Sequence, residues 1–273
     1  MKTILVIFSV LVFEGFAGAQ GSWLNNLNMA KNSAMINRKM ILIDFWAEWC
    51  GPCKTMNSNL WALPEMEELK KNFVPLKINV DDDPSTATLY KVTGIPKVVL
   101  TTATGEEIWS KVGFQFTNDY LDVIRSIPAG VGDLNSALVL AEKNPKDADA
   151  LFRLGLEYQK AGKGLKESAL RSAFLFKSDR AFLLAKKNSS GSLMTEKADL
   201  YQLLNDIYSG RHKSAMKKLE KAGKVSNELL ELNHFLLALC YKLDGETEKY
   251  GAERGQISDS GFLAELDNIE KHK

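Results

Sequence analysis

Residues 41–46, ILIDFW, form a short apolar, β-branched run with a single charge inside it, the pattern of a strand buried on both faces. FVPLKINV (73–80) and PKVVLTT (96–102) are further strand candidates, and EEIWSKVG (106–113) follows a turn at Thr104-Gly105 as the second arm of a hairpin. Helical periodicity fills the intervals, over residues 23–37, 52–62, 64–71, 84–91 and 117–126. Pro52 and Pro64 stand where predicted helices begin, a position that tolerates a missing N–H. Helix and strand alternating and then closing in a hairpin predict a mixed α/β sandwich of about a hundred residues.

The rhythm changes after SIPAGVGD (126–133), whose Pro and Gly punctuate the chain. We place a domain boundary there, between residues 128 and 129. Beyond it the pattern is helical throughout: Asp133 is expected to cap a helix ending at Asn144-Pro145, and short polar turns separate the rest. A faint internal repeat runs through this part. Leu154-Gly155, Tyr158 and Gly162 match Leu237-Ala238, Tyr241 and Gly245 in spacing, and Leu204 with Tyr208 repeats the Leu-to-Tyr step. The pattern resembles the first helix of a tetratricopeptide repeat, although its second-helix positions and its regular period are missing. An all-α array of about three degenerate helical hairpins is expected, able to bind a partner protein on a concave surface, to dimerise, or to cover the sheet.

Composition narrows the class. The chain has 273 residues, 45% hydrophobic and 25% charged, with a formal net charge of +1, values of an ordinary folded protein. Basic and acidic residues nearly balance both before and after the boundary, so neither part offers the basic excess that phosphate neutralisation needs, and no nucleic-acid partner is expected. At the N-terminus, Lys2 precedes an apolar run from Ile4 to Phe13, and Ala17-Gly18-Ala19 has the form of a signal cleavage site. Glu14 is out of place in such a segment. Residues 1–19 are therefore expected to be a signal peptide that directs the chain to the periplasm or the outside of the cell. No cysteine follows the run, so nothing supports lipid attachment there.

An oxidising compartment favours disulfide frameworks, yet this chain has only three cysteines, Cys50, Cys53 and Cys240. Cys50 and Cys53 admit three readings. A zinc half-site needs two more ligands, and only Cys240, His212, His234 and His272 remain, all in the distant helical part. A structural staple over so short a loop removes little chain entropy. A working redox pair suits the setting better. The pair sits between the ILIDFWA strand and a helix, so Cys50 falls at a helix N-terminus, where free N–H groups lower a thiol pKa from about 8.5 to roughly 3.5–7.5. Cys50 would attack a substrate disulfide, and Cys53, one turn on and less exposed beneath it, would resolve the mixed disulfide. Cys240, within HFLLALCY, is expected to be a buried structural thiol, with an intermolecular disulfide as the alternative, and His234 on the same stretch a packing residue rather than a ligand.

DFWAEWCGPCK, KINVDDDP, GIPKVVL and KVG, in that order over residues 23–127, resemble the thioredoxins and their exported thiol-disulfide oxidoreductase relatives. The resemblance implies a thioredoxin fold over residues 20–128, followed by the all-α domain at 129–273. It implies catalytic roles for Cys50, Cys53, Asp44 and Lys77. Pro96 matches the family's cis-proline, and Asp44 its buried carboxylate, whose raised pKa would let it take the proton of Cys53. Lys77 matches the lysine beside that carboxylate. Trp49, Gly51, Pro52, Ile95, Pro96 and Gly113 would line the substrate, and Trp46 would pack at the rim. No metal and no cofactor beyond the cysteine pair is implied. One departure stands out: the helix after the cysteines is expected to break at Ala62-Leu63-Pro64.

The Gly-Pro between the cysteines is that of thioredoxin, near −270 mV, rather than of the strong oxidant DsbA, about −120 mV. Reduction of protein disulfides is thus expected, with a membrane or soluble thiol donor restoring the dithiol. Isomerase or oxidase activity is one alternative. Another is a scaffold whose helical domain recruits a client.

Overall fold

A computed structural model describes residues 23–269; the predicted signal segment lies outside the described residues. Four strands carry the N-terminal region: β1 (Met40–Trp46), β2 (Phe73–Asn79), β3 (Lys97–Thr101) and β4 (Glu107–Val112), side by side in the order β2-β1-β3-β4. β1 runs parallel to β2 and antiparallel to β3, and β3 with β4 makes the predicted hairpin. Gly105 in its turn has φ +92°, a conformation open to glycine. Leu24 bridges to the outer edge of β2, donating to Pro75 O at 2.9 Å and accepting from Lys77 N at 2.8 Å.

Helices α1 (Leu27–Asn37), α2 (Gly51–Met56), α3 (Met66–Leu69), α4 (Pro84–Leu89) and α5 (Asn118–Arg125) alternate with the strands. The two-residue period of β1 sorts them into layers. Ile41, Ile43 and Phe45 face Leu27, Ala30 and Ala34 of α1 and Ala87 of α4. Met40 and Leu42 face the other way, onto Met56, Leu60, Trp61, Met66, Tyr120 and Ile124. This is the mixed sheet flanked by helices of a thioredoxin fold. α2 passes into a π-helical stretch, Asn57–Trp61, and the chain then turns at the predicted break. Pro64 lies in that turn, two residues ahead of α3 rather than at its start.

All remaining described elements are helical: α6 (Gly132–Lys143), α7 (Ala148–Lys163), α8 (Ser168–Asn188), α9 (Ser192–Tyr208), α10 (His212–Lys221), α11 (Leu230–Asp244), α12 (Thr247–Arg254) and α13 (Ser260–Asn268). Asp133 does not cap α6. A backbone bond from Val131 N to Arg38 O, 2.8 Å, anchors the chain ahead of it, so the helix starts at Gly132 and Asp133 falls within its first turn. There it pairs with Lys160 at 3.1 Å and Arg38 at 3.5 Å.

The repeated glycine spacing does not repeat a role. A Cβ on Gly155 would stand 2.5 Å from the Phe182 ring, and one on Gly162 2.8 Å from Phe174 Cβ, so both let α8 close on α7. Gly245 instead ends α11 at φ +84° with open space around it.

The core under α2 and α5 continues without a break through Val131, Leu134, Leu138, Tyr158, Leu170 and Phe174, joining α6–α8 to the sheet. A second core, around Phe235, Leu236 and Leu239, holds α9–α13 together. Cys240 is a free thiol inside it, as its apolar stretch predicts, and burial pushes the thiol up to about 12. His234 is half-buried, its Nδ1 2.6 Å from Glu253 Oε2.

Candidate active site

β1 delivers the chain at Trp46 to a short turn, and α2 begins at Gly51. Cys50 is the N-cap of α2: its backbone is extended (φ −80°, ψ 100°) and its Sγ accepts the Cys53 N–H at 3.1 Å. Helix-terminal N–H groups lack partners of their own, so a sulfur held there sits in a field that favours the thiolate. Pro52, lacking an N–H, fits the first turn without loss. Cys50 and Cys53 form a disulfide, their Cα atoms 5.3 Å apart.

The two cysteines do not differ in exposure as expected: Cys50 is 3% exposed and Cys53 6%. The disulfide forms a small buried cluster with Ala47, against which Trp46, Val80 and Ile95 pack. The Ile95–Pro96 peptide is cis. Gly113, at φ +82°, donates its N–H to Pro96 O at 2.7 Å and so ties the loop before β3 to the end of β4. Trp49 is 69% exposed, its indole N–H held by Asp81 Oδ2 at 2.9 Å, and Gly51 and Pro52 are exposed beside it.

Asp44 shares the face of Met40 and Leu42, beneath α2, and the parallel register sets it opposite Lys77. Burial pushes its carboxyl up to about 6, against the pull of the Lys77 ammonium, 3.6 Å from Oδ2, and of the nearby Trp61 N–H. Asp44 Oδ1 and Trp61 Nε1 are both buried, and neither meets a partner in hydrogen-bonding geometry. Lys77 Nζ donates to Asn57 Oδ1 at 2.8 Å and lies 5.5 Å and 5.4 Å from the ring centres of Trp23 and Trp46. From α5, Tyr120 donates its hydroxyl to Gly113 O. Burial, with Asp119 and Asp44 nearby, raises this phenol to about 12, so it is neutral.

The sites foreseen at positions 44, 49–53, 77, 95–96 and 113 thus gather around the carboxyl end of β1 and the start of β3. Asn57, Trp23, Trp61, Tyr120 and Asp81 were not foreseen. Asn57 had one legible sign, a polar residue one helical turn beyond Cys53. Asp81 lay within KINVDDDP without an assigned partner. Among the described residues no three His, Cys, Asp or Glu side chains converge as a metal site. A reversible disulfide at a helix N-terminus, near a carboxyl that exchanges its proton close to neutral pH, is equipped for dithiol–disulfide exchange.

The region that carries this site is similar to known proteins. The family description Thioredoxin matches residues 25–125. The thioredoxin of Rickettsia prowazekii is 36% identical over 98 residues, which span 34% of this chain and 87% of that protein. That of Staphylococcus saprophyticus is 41% identical over 83 residues, 30% of this chain and 77% of its own length. Among solved structures, oxidised mitochondrial thioredoxin 3 of Saccharomyces cerevisiae is 30% identical, with 39% of this chain and 94% of that one covered and a TM-score of 0.31.

Proposed function

This chain belongs to the thioredoxin family and is a thiol-disulfide oxidoreductase, and from that premise we propose that it reduces protein disulfides in an extracytoplasmic compartment. The observation that carries the proposal is the Cys50–Cys53 disulfide set on the N-terminus of α2 with Asp44 buried beneath that helix. The dithiol form reacts in two displacements. The Cys50 thiolate attacks one sulfur of the substrate disulfide, breaking that bond and releasing the first substrate thiolate. Asp44, as carboxylate, then takes the Cys53 proton; the Cys53 thiolate attacks Cys50 Sγ and expels the second. Two electrons pass from the pair to the substrate, and a membrane or soluble thiol donor returns them.

The remaining residues hold the substrate. Trp49, Gly51, Pro52, Ile95, Pro96 and Gly113 form the rim on which its backbone lies. Lys77 balances the charge that Asp44 acquires. Residues 20–128 supply the chemistry and residues 129–273 the helical domain, which engages a client or a second copy. The exposed row Phe176, Leu183 and Leu184 on α8 supports that role. Export rests on Lys2, the Ile4–Phe13 run and Ala17–Ala19.

Equilibration of the full chain with glutathione tests the direction of flux. A reductase is expected near the thioredoxin potential, and a value above about −180 mV overturns the proposal. Mixed disulfides trapped by Cys53→Ala identify the substrate.

A further inference from the structure

We propose that Asn57 is a positioning residue of this site: its amide oxygen holds the Lys77 ammonium at ion-pair rather than hydrogen-bonding distance from Asp44, and so sets the pH range over which Asp44 exchanges its proton. The proposal rests on reading Asp44 as the proton acceptor for Cys53.

The geometry is a competition for one cation. Lys77 Nζ stands 2.8 Å from Asn57 Oδ1 but 3.6 Å from Asp44 Oδ2. A carboxylate is the stronger acceptor, because a charge-assisted bond is about twice as strong as one to a neutral oxygen. The parallel ladder already places Lys77 directly opposite Asp44, so closing the gap needs only side-chain rotation. What holds the ammonium off is the amide, supplied by the first residue of the π-helical stretch one turn beyond Cys53. Trp23 and Trp46 flank the same ammonium.

The surroundings of Asp44 make this cation decisive. From β2 it meets Lys77; from the π-helical stretch, Trp61, a neutral donor; from α5, Tyr120, neutral and bonded to Gly113 O; from β3, Val98 in register. Lys77 is therefore the charged group that acts on it, and the Nζ-to-carboxylate distance is the variable that Asn57 controls.

Asp44 can be followed directly by carbon-13 NMR of the labelled carboxyl in the oxidised full chain, its signal assigned by loss in Asp44→Asn. Asn57→Ala is expected to let Lys77 close on Asp44 and to lower the titration midpoint by about half a pH unit or more, at least threefold in proton affinity. Asn57→Leu, which keeps the side chain's shape but not its acceptor, should give the same shift if alanine disturbs the π-helical turn. Lys77→Met should raise the midpoint, and adding Asn57→Ala to it should change nothing further. An unchanged or raised midpoint in both Asn57 variants overturns the proposal, as does an equal drop in the Lys77→Met background. The underlying reading fails separately: wild-type rate and pH profile of disulfide reduction by Asp44→Asn would remove Asp44 from the chemistry, while the NMR titration would still decide the role of Asn57.

Discussion

Tyr158 donates its hydroxyl to Glu106 Oε2, so that a helix of the C-terminal part is bonded to the turn between β3 and β4, 52 residues earlier in the chain. Lys177 on α8 takes the other oxygen of the same carboxylate at 2.6 Å. Burial, and the Glu106 charge beside it, hold the Tyr158 phenol far above its ordinary range. One side chain therefore fastens two helices to the redox sheet. Glu106→Ala leaves both donors without an acceptor and is expected to cost about 1–3 kcal/mol in urea unfolding, whereas Tyr158→Phe, which keeps the ring, should cost about 0.5–1.5 kcal/mol.

Asp44 makes stability depend on pH with a sign opposite to that of a surface carboxylate. Its folded pKa is raised from 3.8 to about 6, so between these values the folded state holds the proton more tightly and stability falls as pH rises. Above pH 6 the buried carboxylate burdens the fold by about 2–3 kcal/mol, since each pH unit separating the folded from the unfolded value is worth about 1.36 kcal/mol. Asp44→Asn should therefore raise the stability of the oxidised chain by about that amount at pH 7.5 and change it little at pH 3.5. Equal stabilities of the two chains at pH 7.5 would contradict this account.

The glycines separate two kinds of cost. Gly155→Ala drives a methyl group into the buried Phe182 ring and should destabilise by about 1–3 kcal/mol, with partial recovery in combination with Phe182→Leu. Gly245→Ala meets no neighbour and carries only the left-handed backbone penalty, about 1 kcal/mol, which no second substitution in the core relieves.

Cys240 should be chemically silent in the native chain. Its thiol is fully buried and held at about 12, so after reduction an alkylating reagent at pH 8 is expected to modify the Cys50–Cys53 pair and to leave Cys240 untouched until denaturant is added. Mass spectrometry of the labelled peptides reads this out. Labelling of Cys240 at the rate of Cys50 would show that α9–α13 open in the native state.

The central strand was legible because burial on both faces leaves an apolar run broken only by Asp44, and ILIDFW became β1 within a residue of its expected start. Ala62-Leu63-Pro64 likewise announced the end of the active-site helix. Features that depend on two distant segments meeting were not legible. Asp133 had the right chemistry for a cap, but the bond between Val131 and Arg38 decided where the helix begins. Asn57 stands one helical turn beyond Cys53, but its partner Lys77 comes from β2, 20 residues later, and helical periodicity cannot show that meeting. The burial of Cys50 as well as Cys53 depends on Val80 and Ile95, which reach the pair from beyond β2 and from before β3. Gly162 and Gly245 share a spacing yet differ in task, since one answers to a neighbouring helix and the other to its own backbone.

The continuity of the core from the sheet into α6–α8 changes where this chain can be cut. A break after residue 128 would strip Leu134, Leu138, Tyr158, Leu170 and Phe174 from Ile108, Tyr120 and Leu121, and would turn a dry wall into open surface. The Ser189-Ser190-Gly191 turn between α8 and α9 is no cleaner a seam, because Ala198 and Tyr201 of α9 pack on Phe152 and Phe182, and Asn205 bonds Gln159 and Ser178 across it. For a protease, or for anyone transplanting the redox centre into another protein, the unit to keep whole runs past α8 and takes in α9.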